Sequence, residues 1–302
     1  MAQGRTGFLA AEDYELQLRE ELGESRIVAA QGRLLLVDGE AEPVAWAANT
    51  WFEPQTIAIA SIADGAKKLR ALQRNWVLYA YRLHRRARLI QEQLPHVSAK
   101  PLVFPQPAPT APLGSWTLVD EKTILAAPRC SSPFPNGELQ FVEDKTAPPN
   151  RAYLKLWEAL TVIGRRPQPG ERCLDLGASP GGWSWVLQSL GAGVVSVDKA
   201  PLAPAIAKLP NLEFRQVSAF SLAPEDVGPV DWLFSDIVCY PARLLALVEH
   251  WLQSRLARNI VCTLKFQGPT DHVTARRFAA IPGSRIMHLH HNKHELTWVR
   301  LA

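Results

Sequence analysis

The sequence predicts an α/β fold: a seven-stranded sheet, parallel except for its final strand, preceded by a smaller N-terminal α+β region. Three observations lead there. From about Arg172 onward, short apolar runs alternate with helical stretches, the signature of βαβ units. The last two runs, Arg285 to His290 and Leu296 to Leu301, are separated only by a polar segment around Asn292-Lys293. That gap is too short for a helical crossover and implies an antiparallel hairpin. Before about residue 146 the alternation is absent, which divides the chain into regions 1–145 and 146–302.

In chain order, the N-terminal region offers two short strands, Arg26 to Ala29 and Arg33 to Val37. Between Pro54 and Pro95 the sequence predicts one long helix, because Leu69, Leu72, Trp76, Tyr79, Leu83 and Ile90 recur at three- to four-residue spacing. Lys67, Lys68, Arg70, Arg74, Arg82, Arg85, Arg86 and Arg88 lie off that stripe. They read either as a solvated face or as an electrostatic surface for a phosphate backbone. The proline-rich stretch Pro101 to Pro112 reads as an extended connector. The strands of the second region are Cys173 to Leu176, Val194 to Val197, Leu212 to Val217, Val230 to Asp236 and Ile260 to Phe266, followed by the hairpin.

Composition narrows the functional classes. Of 302 residues, 47% are hydrophobic and 21% charged, ordinary for a soluble globular chain, and the net charge of +4 is a mild hint of a polyanionic partner. No apolar run reaches the ~18 residues that span a bilayer. The four scattered cysteines fit a reducing compartment, so a cytoplasmic location is expected. No P-loop or HExxH occurs, which leaves NTPase and zinc-hydrolase chemistry without support. His288, His290, His291 and His294 cluster, with His288 and His290 spaced for one strand face, but no cysteine or acid cluster accompanies them beyond Glu295; no metal is expected.

The strongest local feature is Asp175-Leu-Gly-Ala-Ser-Pro-Gly-Gly-Trp183. A strand ends at Leu176, Gly177 permits a sharp turn, Gly181 and Gly182 keep the backbone bare, and a helix begins near Trp183. Asp198 closes the next strand, about 20 residues beyond the first glycine, where an acid accepts hydrogen bonds from ribose hydroxyls. A nucleoside-containing cofactor fits this arrangement. The loop reads GxxxGG, not GxGxxG, and a proline precedes the glycine pair, which disfavours a pyrophosphate. Together with the terminal hairpin, this is similar to the Rossmann-like class I fold of methyltransferases dependent on S-adenosylmethionine (SAM), and SAM is the expected cofactor.

Four further residues converge on that sheet's upper rim. Asp236 ends the fourth strand, Lys265 sits near the end of the fifth, and Glu295 starts the final strand. Lys155 lies early in a helix that follows Pro148-Pro149. Singly, each has an ordinary reading: Lys155 with Glu158 as a surface helical pair, Glu295 as a rim charge. As a set, Lys155–Asp236–Lys265–Glu295 resembles the K-D-K-E tetrad of the FtsJ-like (RrmJ-type) RNA ribose 2′-O-methyltransferases. Within them it is most similar to the bacterial enzymes that methylate a cytidine ribose in large-subunit rRNA. The likeness is carried by NRAYLKLWEA, LDLGASPGGWSW, VVSVDKAPL, SDIVCYPA, TLKF and HHNKHELTWV, from about Pro148 to the C-terminus, half of the chain.

The resemblance implies Lys265 as the base for a ribose 2′-hydroxyl, Asp236 and Lys155 orienting it, and Glu295 positioning the group. It implies SAM held by Asp175, Gly177, Ser179, Pro180, Gly181, Gly182, Trp183, Asp198, Ser218 and Asp236. RNA, expected to be rRNA, is the implied partner, and region 1–145 the implied substrate-recognition part. Two departures stand out. Val217-Ser218-Ala219 occupies the place of the family's usual acid near the adenine, and the N-terminal region is shorter than the THUMP-containing part of the similar rRNA enzymes. Another RNA substrate (a tRNA or capped transcript) and a catalytically silent RNA-binding scaffold are the alternatives.

Overall fold

The computed structural model describes residues 4–302. They form two compact units, residues 4–102 with 108–140, and residues 103–107 with 141–302.

The first unit opens with β1 (Arg5–Ala10), α1 (Glu15–Leu22), β2 (Ile27–Gln31), β3 (Leu34–Asp38) and β4 (Ala47–Phe52). There follow β5 (Gln55–Ala58), α2 (Ile62–Leu72), β6 (Trp76–Leu78), α3 (His84–Gln91), β7 (Gly114–Asp120), β8 (Thr123–Ala127) and β9 (Arg129–Cys130). They build two sheets, ordered β2-β3-β1-β4-β9 and β5-β8-β7-β6. β2 and β3 fall on the two short strands that the sequence implies and pair in antiparallel register.

The single long helix is not formed. α2 stops at Leu72, β6 pairs in parallel with β7 through Trp76 and Gly114, and α3 begins only at His84. The cause is local. The Trp76 indole N–H donates to the carbonyls of Leu69 and Gln73 at 2.9 and 3.0 Å, capping the end of α2. Leu83 then takes a left-handed conformation before α3. The apolar stripe nevertheless reports burial correctly, since Leu69, Trp76 and Ile90 share one core with Trp116 and Ile124. The basic residues are thereby split between two helices and the intervening segment. Lys68 pairs with Asp64 at 3.0 Å, while Arg70 and Arg82 donate to the carbonyls of Gln93 and Val119. Lys67, Arg74 and Arg85 are exposed. The proline-rich stretch carries no helix or strand beyond an isolated bridge at Leu102.

The second unit begins with α4 (Tyr153–Ile163). Strands β10 (Arg172–Leu176), β11 (Gly193–Val197), β12 (Leu212–Arg215), β13 (Val230–Ser235), β14 (Ala257–Lys265), β15 (Ser284–Met287) and β16 (Glu295–Arg300) then form one sheet ordered β12-β11-β10-β13-β14-β16-β15. The first five are parallel, and β16 runs antiparallel between β14 and β15. After α4, five helices intervene among the described residues: α5 (Gly182–Ser189), α6 (Pro204–Ala207), α7 (Pro224–Val227), α8 (Pro241–Ser254) and α9 (His272–Ala279). The central strands are continuous apolar runs, buried on both faces, as parallel strands must be. This topology is the expected class I fold. Two strands end early: β12 at Arg215, and β15 at Met287. His288 and His290 therefore lie past the strand and do not share a strand face. Among the described residues no helix is long and apolar enough to cross a membrane.

Candidate active site

The carboxyl ends of β10, β11, β12, β13 and β14 open onto a cavity of about 530 Å³. Its wall includes Gly177, Ser179, Asp198, Ser218, Asp236 and Lys265. This is the crevice where open α/β sheets bind ligands, in the size range of small-molecule sites.

The glycine loop is dictated by packing as well as by access. Gly177 has φ +80°, and a Cβ there would meet the backbone of Ile237 at 3.0 Å. Gly182 sits so close to Asn150 that a Cβ would lie 2.3 Å from its side-chain oxygen. Gly177 is thus fixed by the neighbouring Ile237 backbone of the protein itself, where the sequence suggested only a sharp turn. Pro180 and Gly181 shape the loop without lining the cavity, the Pro180 carbonyl accepting from Ala203 N–H at 2.9 Å. Trp183 lines the cavity and is anchored by its indole N–H to the Ala152 carbonyl at 2.9 Å.

Asp198 is oriented by the loop it faces. One carboxylate oxygen accepts from Ser179 N–H at 3.0 Å and the other from Ala200 N–H at 2.9 Å. Each retains acceptor capacity, which is what vicinal ribose hydroxyls need. Ser218 lines the far end of the cavity, and its Oγ accepts from Phe220 N–H, leaving its own O–H to donate. Asp175 is placed differently from the expectation that it touches a cofactor. It is fully buried outside the cavity wall, where one oxygen accepts from Ser184 Oγ at 2.6 Å and the other has no partner. Burial pushes its carboxyl up to about 7.

The four rim residues converge. Lys155 Nζ stands 2.9 Å from Asp236 Oδ1 and 3.0 Å from Glu295 Oε1. Lys265 Nζ lies 3.0 Å from the same Asp236 oxygen and donates to the Asp236 carbonyl at 2.7 Å. The sheet explains the meeting. Lys265 and Glu295 are direct cross-strand partners at the β14–β16 rim, and Asp236 follows the last residue of β13. Lys265 and Asp236 line the cavity, whereas Lys155 and Glu295 stand behind them. Burial pulls the Lys155 ammonium down, but Asp236 and Glu295 outweigh it and hold it above its usual value. Burial likewise opposes the Asp236 carboxylate, and Lys155, Lys265 and the Thr263 hydroxyl together keep it below the usual range.

Two residues of this cluster escape the sequence reading. Thr263 donates to Asp236 Oδ1, and its two-residue spacing from Lys265 on β14 was the available signal. Glu158 is no surface partner of Lys155: it is 2% exposed and binds the loop at His290 and His291.

A cavity at the carboxyl edge of a class I sheet, with a ribose-type acid and a lysine–carboxylate cluster at its mouth, defines a methyltransferase-type domain. Residues 148–292 match the FtsJ-like methyltransferases, and SAM is the cofactor which that match supports. The residues present fit that group: an oriented acid for ribose, a backbone cradle at Gly177, and room of the right size. The ribosomal RNA large subunit methyltransferase M of Halorhodospira halophila is 38% identical over 157 residues, 49% of this chain and 46% of that protein. The namesake from Azotobacter vinelandii is 38% identical over 161 residues, 51% of this chain and 44% of its own. That of Laribacter hongkongensis is 32% identical over 190 residues, 57% and 53%. The chain thus spans about half the length of the curated relatives it matches. Among solved structures, the fibrillarin pre-rRNA processing protein of Methanococcus jannaschii aligns with 61% of this chain and 80% of its own, at 16% identity and a TM-score of 0.41.

Proposed function

We propose that this chain is a SAM-dependent RNA ribose 2′-O-methyltransferase whose substrate is a cytidine of large-subunit rRNA. The observation that carries the reading is the cluster at the cavity mouth, where Lys155 bridges Asp236 and Glu295 while Lys265 reaches Asp236 from the cavity side. The names of the relatives support rRNA as the substrate class. The first unit would contribute RNA recognition, with exposed Lys67, Arg74 and Arg85 among its cations.

A ribose hydroxyl is a weak acid and a poor nucleophile, so transfer requires alignment and removal of its proton. When bound, SAM supplies a methyl group activated by a positive sulfur. Lys155 is held cationic by two carboxylates, which fits it to orient the hydroxyl and stabilise negative charge on its oxygen, and unfits it as a base. Lys265, in the cavity wall with an N–H on the Asp236 carbonyl, is the group placed to take the 2′-hydroxyl proton. Lys265 would end as the ammonium, having taken the proton that the ribose oxygen gives up when it accepts the methyl group bound SAM would supply. Asp236 remains ionised throughout and keeps both lysines in register.

The test is direct. Purified protein, labelled SAM and large-subunit rRNA lacking the modification should yield label on a cytidine ribose. Label on a base, or none on any RNA, would refute the proposal.

A further inference from the structure

Helix α4 carries two charged side chains one turn apart, Lys155 and Glu158, and both reach the hairpin loop that leads into β16. At three-residue spacing they share a helix face. Lys155 meets Glu295, the first residue of β16. Glu158 meets the loop five and four residues earlier: Oε1 accepts from His290 N–H at 2.7 Å and Oε2 from His291 N–H at 2.8 Å. The His291 ring adds Nδ1 at 2.7 Å from Oε2. A carboxylate this deeply buried is costly unless its oxygens are filled by donors, and three converge on it.

We propose that Glu158 is a positioning residue for the rim cluster: it clamps the β15–β16 loop to α4 and so sets the reach from Lys155 to Glu295. This rests on the methyltransferase reading above. The loop has other ties, none of them from α4: Asn292 bonds the Glu295 carbonyl and Thr297, Phe266 N–H bonds the His294 carbonyl, Thr270 meets the His294 ring, Lys293 N–H stands 3.5 Å from Glu295 Oε1, and the Phe141 ring packs on His291. Only the Glu158 bonds to His290 and His291 and the Lys155–Glu295 pair, among the described contacts of the two elements, join α4 to this loop. An ammonium 3.0 Å from a carboxylate loses much of its hold with a small retreat of the loop, so the clamp acts on Lys155 charge placement through Glu295.

The substitution Glu158→Gln places an amide NH₂ against a backbone N–H and breaks one arm of the clamp. Transfer to rRNA should fall roughly 10- to 100-fold in kcat, with SAM Kd and RNA KM within about twofold of wild type. A purely structural role would cost the same factor in any background. Through Glu295, the cost should shrink to within about twofold when Glu158→Gln is added to Glu295→Gln. Equal losses in both backgrounds, an unchanged kcat, or a change confined to KM would overturn the proposal. If Glu158→Gln does not fold, His291→Ala keeps the backbone N–H groups and removes only the ring; a kcat loss of about threefold or more that vanishes beside Glu295→Gln is then required. If wild type methylates no RNA, the activity reading fails on its own, and a crystal structure of whichever variant folds decides the clamp. A Lys155–Glu295 separation beyond 4 Å upholds it, and an unchanged separation overturns it.

Discussion

Lys155 Nζ lies between two carboxylates, 2.9 Å from Asp236 and 3.0 Å from Glu295, while Asp236 also reaches the second lysine, Lys265. The cluster is therefore a chain, Glu295–Lys155–Asp236–Lys265, with its last lysine in the cavity wall. That order sets Lys155 between the two carboxylates and Lys265 in the cavity wall.

Removing the central cation leaves two buried carboxylates facing one another. Lys155→Met should destabilise the domain by on the order of 3 kcal/mol and abolish methyl transfer. Urea unfolding of the two proteins at neutral pH reads the first effect, and a loss below about 1 kcal/mol would show that the pair contributes little.

Lys265 has the opposite profile. Lys265→Ala should lower kcat by roughly 10²- to 10⁴-fold while SAM affinity stays within a few-fold. Titration calorimetry with SAM separates the two, and a wild-type rate in this variant would remove Lys265 from the base role.

Asp198 is the acid oriented toward the cavity. Losing its ionised acceptor in Asp198→Ala should weaken SAM binding by about 1.5–3 kcal/mol, roughly 10- to 100-fold in Kd. Unchanged calorimetric affinity would place the ribose elsewhere.

Asp175 gives a pH signature. Its folded value near 7 exceeds the unfolded 3.8, so its contribution to stability is complete below pH 3.8 and is lost as pH rises through 7. His288 runs the other way: burial lowers it to about 4 from 6.5, so its contribution is present above 6.5 and lost as pH falls through 4. Subtracting wild-type from Asp175→Asn melts isolates the first slope. The variant should gain relative stability between pH 4 and 7, by up to about 4 kcal/mol. A pH-independent difference would contradict the burial argument.

The first unit's cations are tested by Arg82→Glu, Arg85→Glu and Arg86→Glu together. RNA affinity should fall and its dependence on salt flatten, read by binding titrations at several ionic strengths. An unchanged affinity and slope would leave these arginines as scaffold.

Much of the second unit was legible because buried parallel strands are unbroken apolar runs with chemistry at their carboxyl ends. Asp198, Asp236 and Lys265 follow from that rule. The short hairpin gap alone set the direction of β16. In the first unit, by contrast, β4 and β7 hide polar residues in the core: Asn49 bonds Ser115 and Ser132, 66 and 83 residues away. No local pattern announces such partners. Leu69, Trp76 and Ile90 read as one helix because helical spacing reports burial, and the Trp76 indole that ends α2 is a tertiary event in the sequence's terms. Glu158 was misjudged for a related reason. Its spacing from Lys155 was visible, but the two backbone N–H groups that fill it lie 132 and 133 residues further on.

The central claim is that the lysine in the cavity wall removes the proton of a ribose hydroxyl for methylation by SAM. Its most direct test is mass-spectrometric mapping of unmodified large-subunit rRNA after incubation with SAM and either wild type or Lys265→Ala. The account predicts a 2′-O-methylcytidine made by wild type and missing with the variant. The same modified ribose in both reactions, or a methyl group on a base, would contradict it.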